Sequence, residues 1–108
     1  MSGFAALAGL DVTDAGVQVT LDRRHVGEPP VAHGGVAMTA LEAACRQAAG
    51  PDSTCLSFKV QLLGPARLGD TIAATASVVR RTRTLAFLDA TAWTAGGEIA
   101  RATAVYSV

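Results

Sequence analysis

From residue 16 to residue 22 apolar and polar positions alternate, with Val17, Val19 and Leu21 on one side and Gln18, Thr20 and Asp22 on the other. That period of two predicts a strand with one buried face. Residues 23 to 32 break the pattern with Gly27, Pro29 and Pro30 and read as a loop. From about residue 35 to residue 49 almost every position is apolar except Thr39, Glu42, Arg46 and Gln47, and Gly50-Pro51 follows. This is a helix with a clear stop, and a helix apolar nearly all round is expected to be enclosed.

Period two then resumes in four runs: residues 55 to 63, 71 to 80, 84 to 94 and 98 to 107. The first sets Leu56, Phe58, Val60 and Leu62 against Ser57, Lys59 and Gln61 and ends at Gly64-Pro65. Arg81-Thr82-Arg83 and Ala95-Gly96-Gly97 are short enough to be hairpin connections. One strand, one long helix and four antiparallel strands predict an α+β domain, its sheet curled round the helix. The 108 residues are expected to form a single domain, near the size at which oligomerisation often supplements stability.

Nine basic residues balance nine acidic ones, so a broad nucleic-acid or anionic-membrane surface is not expected. No apolar run approaches the ~20 residues of a membrane span, and the first eight residues lack the basic start and long apolar region of a signal peptide. A cytoplasmic protein is expected. Cys45 and Cys55 fit no metal-ligand spacing, so no metal is expected, and both read as buried free thiols. The sequence carries no GxSxG, HExxH, paired CxxC, GxxxxGK[ST] or GxGxxG pattern. Serine-hydrolase, zinc and nucleotide-cradle readings therefore have no anchor.

The candidate chemistry lies at the helix. His33-Gly34-Gly35 opens it, and paired glycines at a helix start leave backbone N–H groups bare for a polarised oxygen or an anion. Glu42 stands nine residues after His33, which at helical rise is about 13 Å along the axis. One chain cannot bring both ends to the same atom. Two antiparallel copies of the helix related by a two-fold axis set the Glu42 of one opposite the Gly34 of the other.

With those residues in place, the stretch from His25 to Ala43 resembles the signature of PaaI-type (phenylacetate-pathway) acyl-CoA thioesterases of the hotdog fold. In that family a HisGlyGly triplet opens the central helix and an acid follows nine positions after the histidine. Residues 58 to 70, with Leu63-Gly64-Pro65-Ala66-Arg67-Leu68-Gly69-Asp70, and residues 78 to 87, with Arg83-Thr84-Leu85-Ala86-Phe87, are similar to the family as well. The resemblance implies hydrolysis of an acyl-CoA thioester to free acid and coenzyme A by a homodimer or a dimer-of-dimers tetramer. The Gly34 N–H would hold the oxyanion, His33 would position the thioester, and Glu42 of the facing subunit would be nucleophile or general base. Gly35 and Thr39 are the expected substrate contacts on the helix. No cofactor is expected, since the substrate carries coenzyme A.

The chain departs from the family at Gly27, where many relatives have Asn or Gln, and His25 is the candidate replacement. Relatives often carry a Ser or Thr near the start of the strand after the helix, facing the acid. Ser53, Thr54 and Cys55 are the candidates here, with Thr54 favoured. Arg80, Arg81 and Arg83 are candidate grips for the coenzyme A phosphates, against a plainer reading as solvated turn charges. Glu42 also has a plainer reading, a surface pair with Arg46 one turn on. Trp93 and Tyr106 read as packing residues. The rival functions are a hotdog enoyl-CoA hydratase or dehydratase, and a non-catalytic acyl-CoA or acyl-carrier binding module.

Overall fold

A computed structural model describes residues 10–13, 16–22 and 34–108. Six strands form one antiparallel sheet: β1 (Asp11–Thr13), β2 (Gly16–Thr20), β3 (Thr54–Leu62), β4 (Thr71–Arg81), β5 (Leu85–Thr94) and β6 (Gly97–Ser107). One helix among the described residues, α1 (Gly34–Ala49), lies between β2 and β3 in the chain. The spatial order is β1-β2-β4-β5-β6-β3, so β3 crosses to the far edge and, among the described residues, pairs only with β6. This is the α+β hotdog arrangement that the resemblance implies. Of the described helices none is long and apolar enough to cross a membrane.

The elements follow the hydrophobic pattern closely, and the differences have local causes. The three-residue β1 is too short to show a period, and pairs antiparallel with β2, Thr13 opposite Gly16. Gly16 lets the start of β2 lie close against β4. Its φ is +137°, and a Cβ there would sit 2.5 Å from the Ala74 carbonyl oxygen and 2.9 Å from Thr75 Cγ2. The amide of Gln47 on α1 donates to the Thr13 carbonyl, which ties β1 to the helix. At the other end Gly50, with φ +115°, lets the chain leave α1, and the Ser53 hydroxyl bonds its carbonyl at 2.7 Å.

The core is the contact between one face of α1 and the concave face of the sheet. Val36, Ala37, Ala40, Leu41, Ala44, Cys45 and Ala49 are buried on the helix. Facing them the sheet supplies mainly alanine, with Ile72, Leu88 and Tyr106 as its largest fully buried side chains. Small residues on both sides bring the helix close. Burying Leu41 alone contributes about 1.5–3 kcal/mol.

The expected full enclosure of the helix is corrected here. Gly35, Met38, Arg46 and Gln47 are exposed or half-buried, as are Thr39 and Glu42, so the chain's own sheet covers only one side. The apolar periodicity of α1 records more burial than the described sheet provides. Trp93, read as a packing residue, lies on the convex face of β5 opposite Ala73 of β4, 38% exposed. Cys55 is half-buried, and only Cys45 is the buried thiol expected of both.

Replacing Gly16 by Ala puts a methyl group against backbone at a φ that favours glycine. The expected cost is at least about 2 kcal/mol, or roughly 10 °C in Tm, read by thermal unfolding. An unchanged Tm would contradict the close packing of β2 on β4.

Candidate functional site

Gly34 is the first residue of α1. The first turn of any helix leaves its backbone N–H groups without intrahelical partners, and the helix dipole adds partial positive charge there. His33, His25, Gly27 and the rest of the loop at 23–33 lie outside the described residues. Gly35 is exposed, and a Cβ built on it meets no described atom within 4 Å. Close packing against the sheet therefore gives no reason for glycine at that position. Thr39 sits one turn later with its hydroxyl donating to the Gly35 carbonyl at 2.7 Å. Its proton is already used inside the helix, leaving only acceptor capacity toward a ligand.

Gly35, Met38, Thr39, Glu42 and Arg46 form one stripe along the open side of α1, as their spacing of three and four requires. Glu42, with 32% of its side chain exposed, anchors the middle of this stripe. Arg46 donates to Glu42 Oε1 through Nε at 3.2 Å and also through Nη2. The plainer reading of Glu42 as half of an i, i+4 pair is thus realised, but the pair occupies only one carboxylate oxygen. This hydrogen bond raises the guanidinium pKa further above its ordinary value, so Arg46 stays cationic.

A third donor to Glu42 was not legible in the sequence. Tyr106, 64 residues on and fully buried in β6, places its hydroxyl 3.2 Å from Glu42 Oε1 and 3.4 Å from the Glu42 main-chain oxygen. Tyr106 is a packing residue, as expected, with its polar tip delivered to the carboxylate. Burial, then the Glu42 charge, pushes the phenol well above the ordinary tyrosine value, so the hydroxyl keeps its proton. Cys45 lies in the same neighbourhood, its thiol pushed up to about 12 by burial and then by Glu42. It is a protonated core residue, unsuited to act as a nucleophile.

On β3 a bulge changes which residue faces this group. Cys55 pairs with Tyr106 and Ser57 with Val105, so Leu56 is an extra residue that reverses the phase of the strand. Cys55 therefore shares the helix-facing side with Phe58 and Val60, while Thr54 pairs with Ser107 and is exposed. Unbroken alternation would have put Thr54 on the helix side. Its placement separates it from the Glu42 of its own chain.

The three arginines are also parted, again by a bulge. In β4 the register shifts between Val78 and Arg80, which turns Arg80 to the convex face and Arg81 to the concave one. The Arg80 guanidinium stands 6.0 Å from the Phe87 ring centroid. Arg81 Nη2 donates to the Ala49 carbonyl at 3.5 Å, a cation on the C-terminal end of α1. Arg83 is exposed in the turn. They do not form one cluster. Among the described residues no group of three His, Cys, Asp or Glu side chains converges to hold a metal.

Comparisons with known proteins agree with this architecture. A conserved protein of Pseudomonas aeruginosa has a TM-score of 0.86 at 20% identity, covering 99% of this chain and 94% of its own. A point mutant of the phenylacetic acid degradation protein PaaI from Thermus thermophilus has a TM-score of 0.82 at 23% identity, covering 98% of each chain. A Bacillus halodurans protein whose structure was solved with CoA has a TM-score of 0.85 at 18% identity, covering 99% of this chain and 78% of its own. At these identities the likeness establishes the fold. A comparison with curated protein sequences finds no match. The family comparison goes further, because the pattern described as the acyl-CoA thioesterase N-terminal domain matches residues 22–107. The chain therefore belongs to the acyl-CoA thioesterase family, and its class as an enzyme is that of a thioester hydrolase.

Proposed function

We propose that the protein hydrolyses an acyl-CoA thioester to the free acid and coenzyme A, at a site shared by two copies of the chain. The observation that carries this reading is Glu42, half-buried on the open stripe of α1 with one carboxylate oxygen held by donors and the other free of them among the described residues. In the proposed mechanism the thioester carbonyl lies at the start of the facing subunit's helix. The Gly34 N–H there, aided by the helix dipole and by His33, stabilises the oxyanion as the carbonyl carbon becomes tetrahedral. Glu42 activates the attack, either by taking a proton from a water that adds to the carbon or by adding itself to give a mixed anhydride that a water then hydrolyses. Collapse of the tetrahedral adduct breaks the C–S bond, and the sulfur leaves as the coenzyme A thiol with a proton that comes from water. No cofactor enters, because coenzyme A leaves with the substrate's own sulfur.

Helical rise supports the shared site, since eight residues separate Gly34 from Glu42 and place them about 12 Å apart along one helix. The edge of β3 supports it too. Among the described residues this nine-residue strand pairs on one side only, and Leu56 and Leu62 are 59% and 55% exposed on it. A second copy meeting it edge to edge would satisfy the open backbone groups and cover that apolar surface, with the open side of α1 nearby. A homodimer, or two such dimers, is the assembly this favours. Met38, 40% exposed beside Glu42, then becomes part of the acyl pocket. Arg80 and Arg83 remain the candidates for the coenzyme A phosphates, whereas Arg81 is spent on the end of α1.

Free-thiol release from acetyl-, isobutyryl-, palmitoyl- and phenylacetyl-CoA tests the reaction and narrows the acyl group. Thiol release is expected, and Glu42→Gln is expected to lower it at least ~100-fold with the fold intact. Loss of enoyl-CoA absorbance without thiol would instead select the hydratase, and tight binding without turnover the binding module. Gly35→Ala is expected to leave Tm equal or higher, since alanine favours a helix by roughly 0.5–1 kcal/mol over glycine, yet to reduce turnover by crowding the first turn. Full activity in that variant would remove Gly35 from the substrate contacts.

A further inference from the structure

The donors on Glu42 are unequal in a way that assigns them different tasks. Arg46 lies on the same helix, and 52% of its long side chain is exposed, so its direction is set by many competing rotamers. Tyr106 comes from the sheet, with a ring that has no exposed surface and only two side-chain torsions. It is held opposite Ala86 of β5 and Cys55 of β3, its neighbours across the sheet. Its hydroxyl touches both the carboxylate and the main-chain oxygen of Glu42, fixing the side chain relative to its own backbone. A glutamate has three torsions between backbone and carboxylate, and a base misplaced by even about 1 Å loses much of its effect.

We propose that Tyr106 is a positioning residue for the thioesterase reaction, its core-anchored hydroxyl holding Glu42 Oε1 so that Oε2 is the oxygen turned toward the thioester. The proposal rests on the reading of Glu42 given above. Arg46 neutralises the carboxylate, and Tyr106 sets its direction. Other polar groups near Glu42 among the described residues are Thr39, whose proton goes to the Gly35 carbonyl, Cys45 on α1, a protonated thiol, and Cys55 on β3, whose sulfur lies 3.7 Å from the Ser57 carbonyl oxygen. The Cys55 thiol is directed along its own strand and the Cys45 thiol into the core, so neither duplicates the phenol.

Tyr106→Phe is the test, because it keeps the ring, deletes one oxygen and leaves Glu42 its bonds to Arg46. With the acyl-CoA of the panel that is cleaved fastest, kcat is expected to fall about tenfold while KM stays within about twofold, the signature of an interaction used in the transition state. In a Glu42→Gln background the same change is expected to have no further effect on kcat. Unaltered kcat in the single variant, a change confined to KM, or an equal loss in the Glu42→Gln background overturns the proposal. An inactive Glu42→Gln beside a fully active Tyr106→Phe overturns it alone. A fully active Glu42→Gln overturns the reading of Glu42 and this proposal with it.

Discussion

A helix can bury only one side against its own sheet, and the rest of this molecule follows from where that side lies. The 16 residues of α1 form a rod about 24 Å long, seated through alanines and Leu41 on a concave surface that is itself mostly alanine. Because the contact is close and made by small side chains, neither helix nor sheet has room to turn. The opposite stripe, from Gly35 through Thr39 and Glu42 to Arg46, is left facing outward in fixed order. The rod keeps its two chemical ends apart. N–H groups without intrahelical partners stand at one end and a carboxylate two turns away, which is why the proposed chemistry calls for a second copy.

Much of this was legible in the residues, because burial on one face writes itself as a period. Val17 and Val19, Phe58 and Val60, and the run from Ala86 to Thr94 all alternate as strands do, and Gly50-Pro51 ends the helix where its spacing says it must. Period cannot report what covers a residue. Met38 and Ala43 look as buried in the sequence as Leu41 does, yet of the three the chain's own sheet fully covers Leu41 while Met38 stays exposed. Part of the apolar pattern of α1 is thus not accounted for by the sheet of its own chain.

Two bulges account for what the pattern misplaced. An extra residue costs a strand one step of phase, and nothing in the composition at Leu56 or Val79 announces it. At β3 the step exchanges Thr54 for Cys55 on the helix side, and at β4 it sends Arg80 and Arg81 to opposite faces. The hydrogen bond from Tyr106 to Glu42 was hidden for another reason: 64 residues separate the two, and only the crossing of β6 beneath the helix brings them together. Family membership, by contrast, rests on a pattern spread over most of the chain, so it survives local shifts of register.

The central claim is that the proposed site is completed by two chains, and complementation between two defective subunits tests it directly. Glu42→Gln removes the acid, while Gly34→Pro removes the N–H donor at a first helical position where proline is well tolerated. Each alone is expected to be inactive on the acyl-CoA cleaved fastest by the wild type. When the two are co-expressed with different tags, about half the dimers formed at random are mixed, and each mixed dimer has one intact site. Activity should return to roughly a quarter of the wild-type value. A mixture no more active than its separate components, with mixed dimers shown to be present, would contradict a shared site.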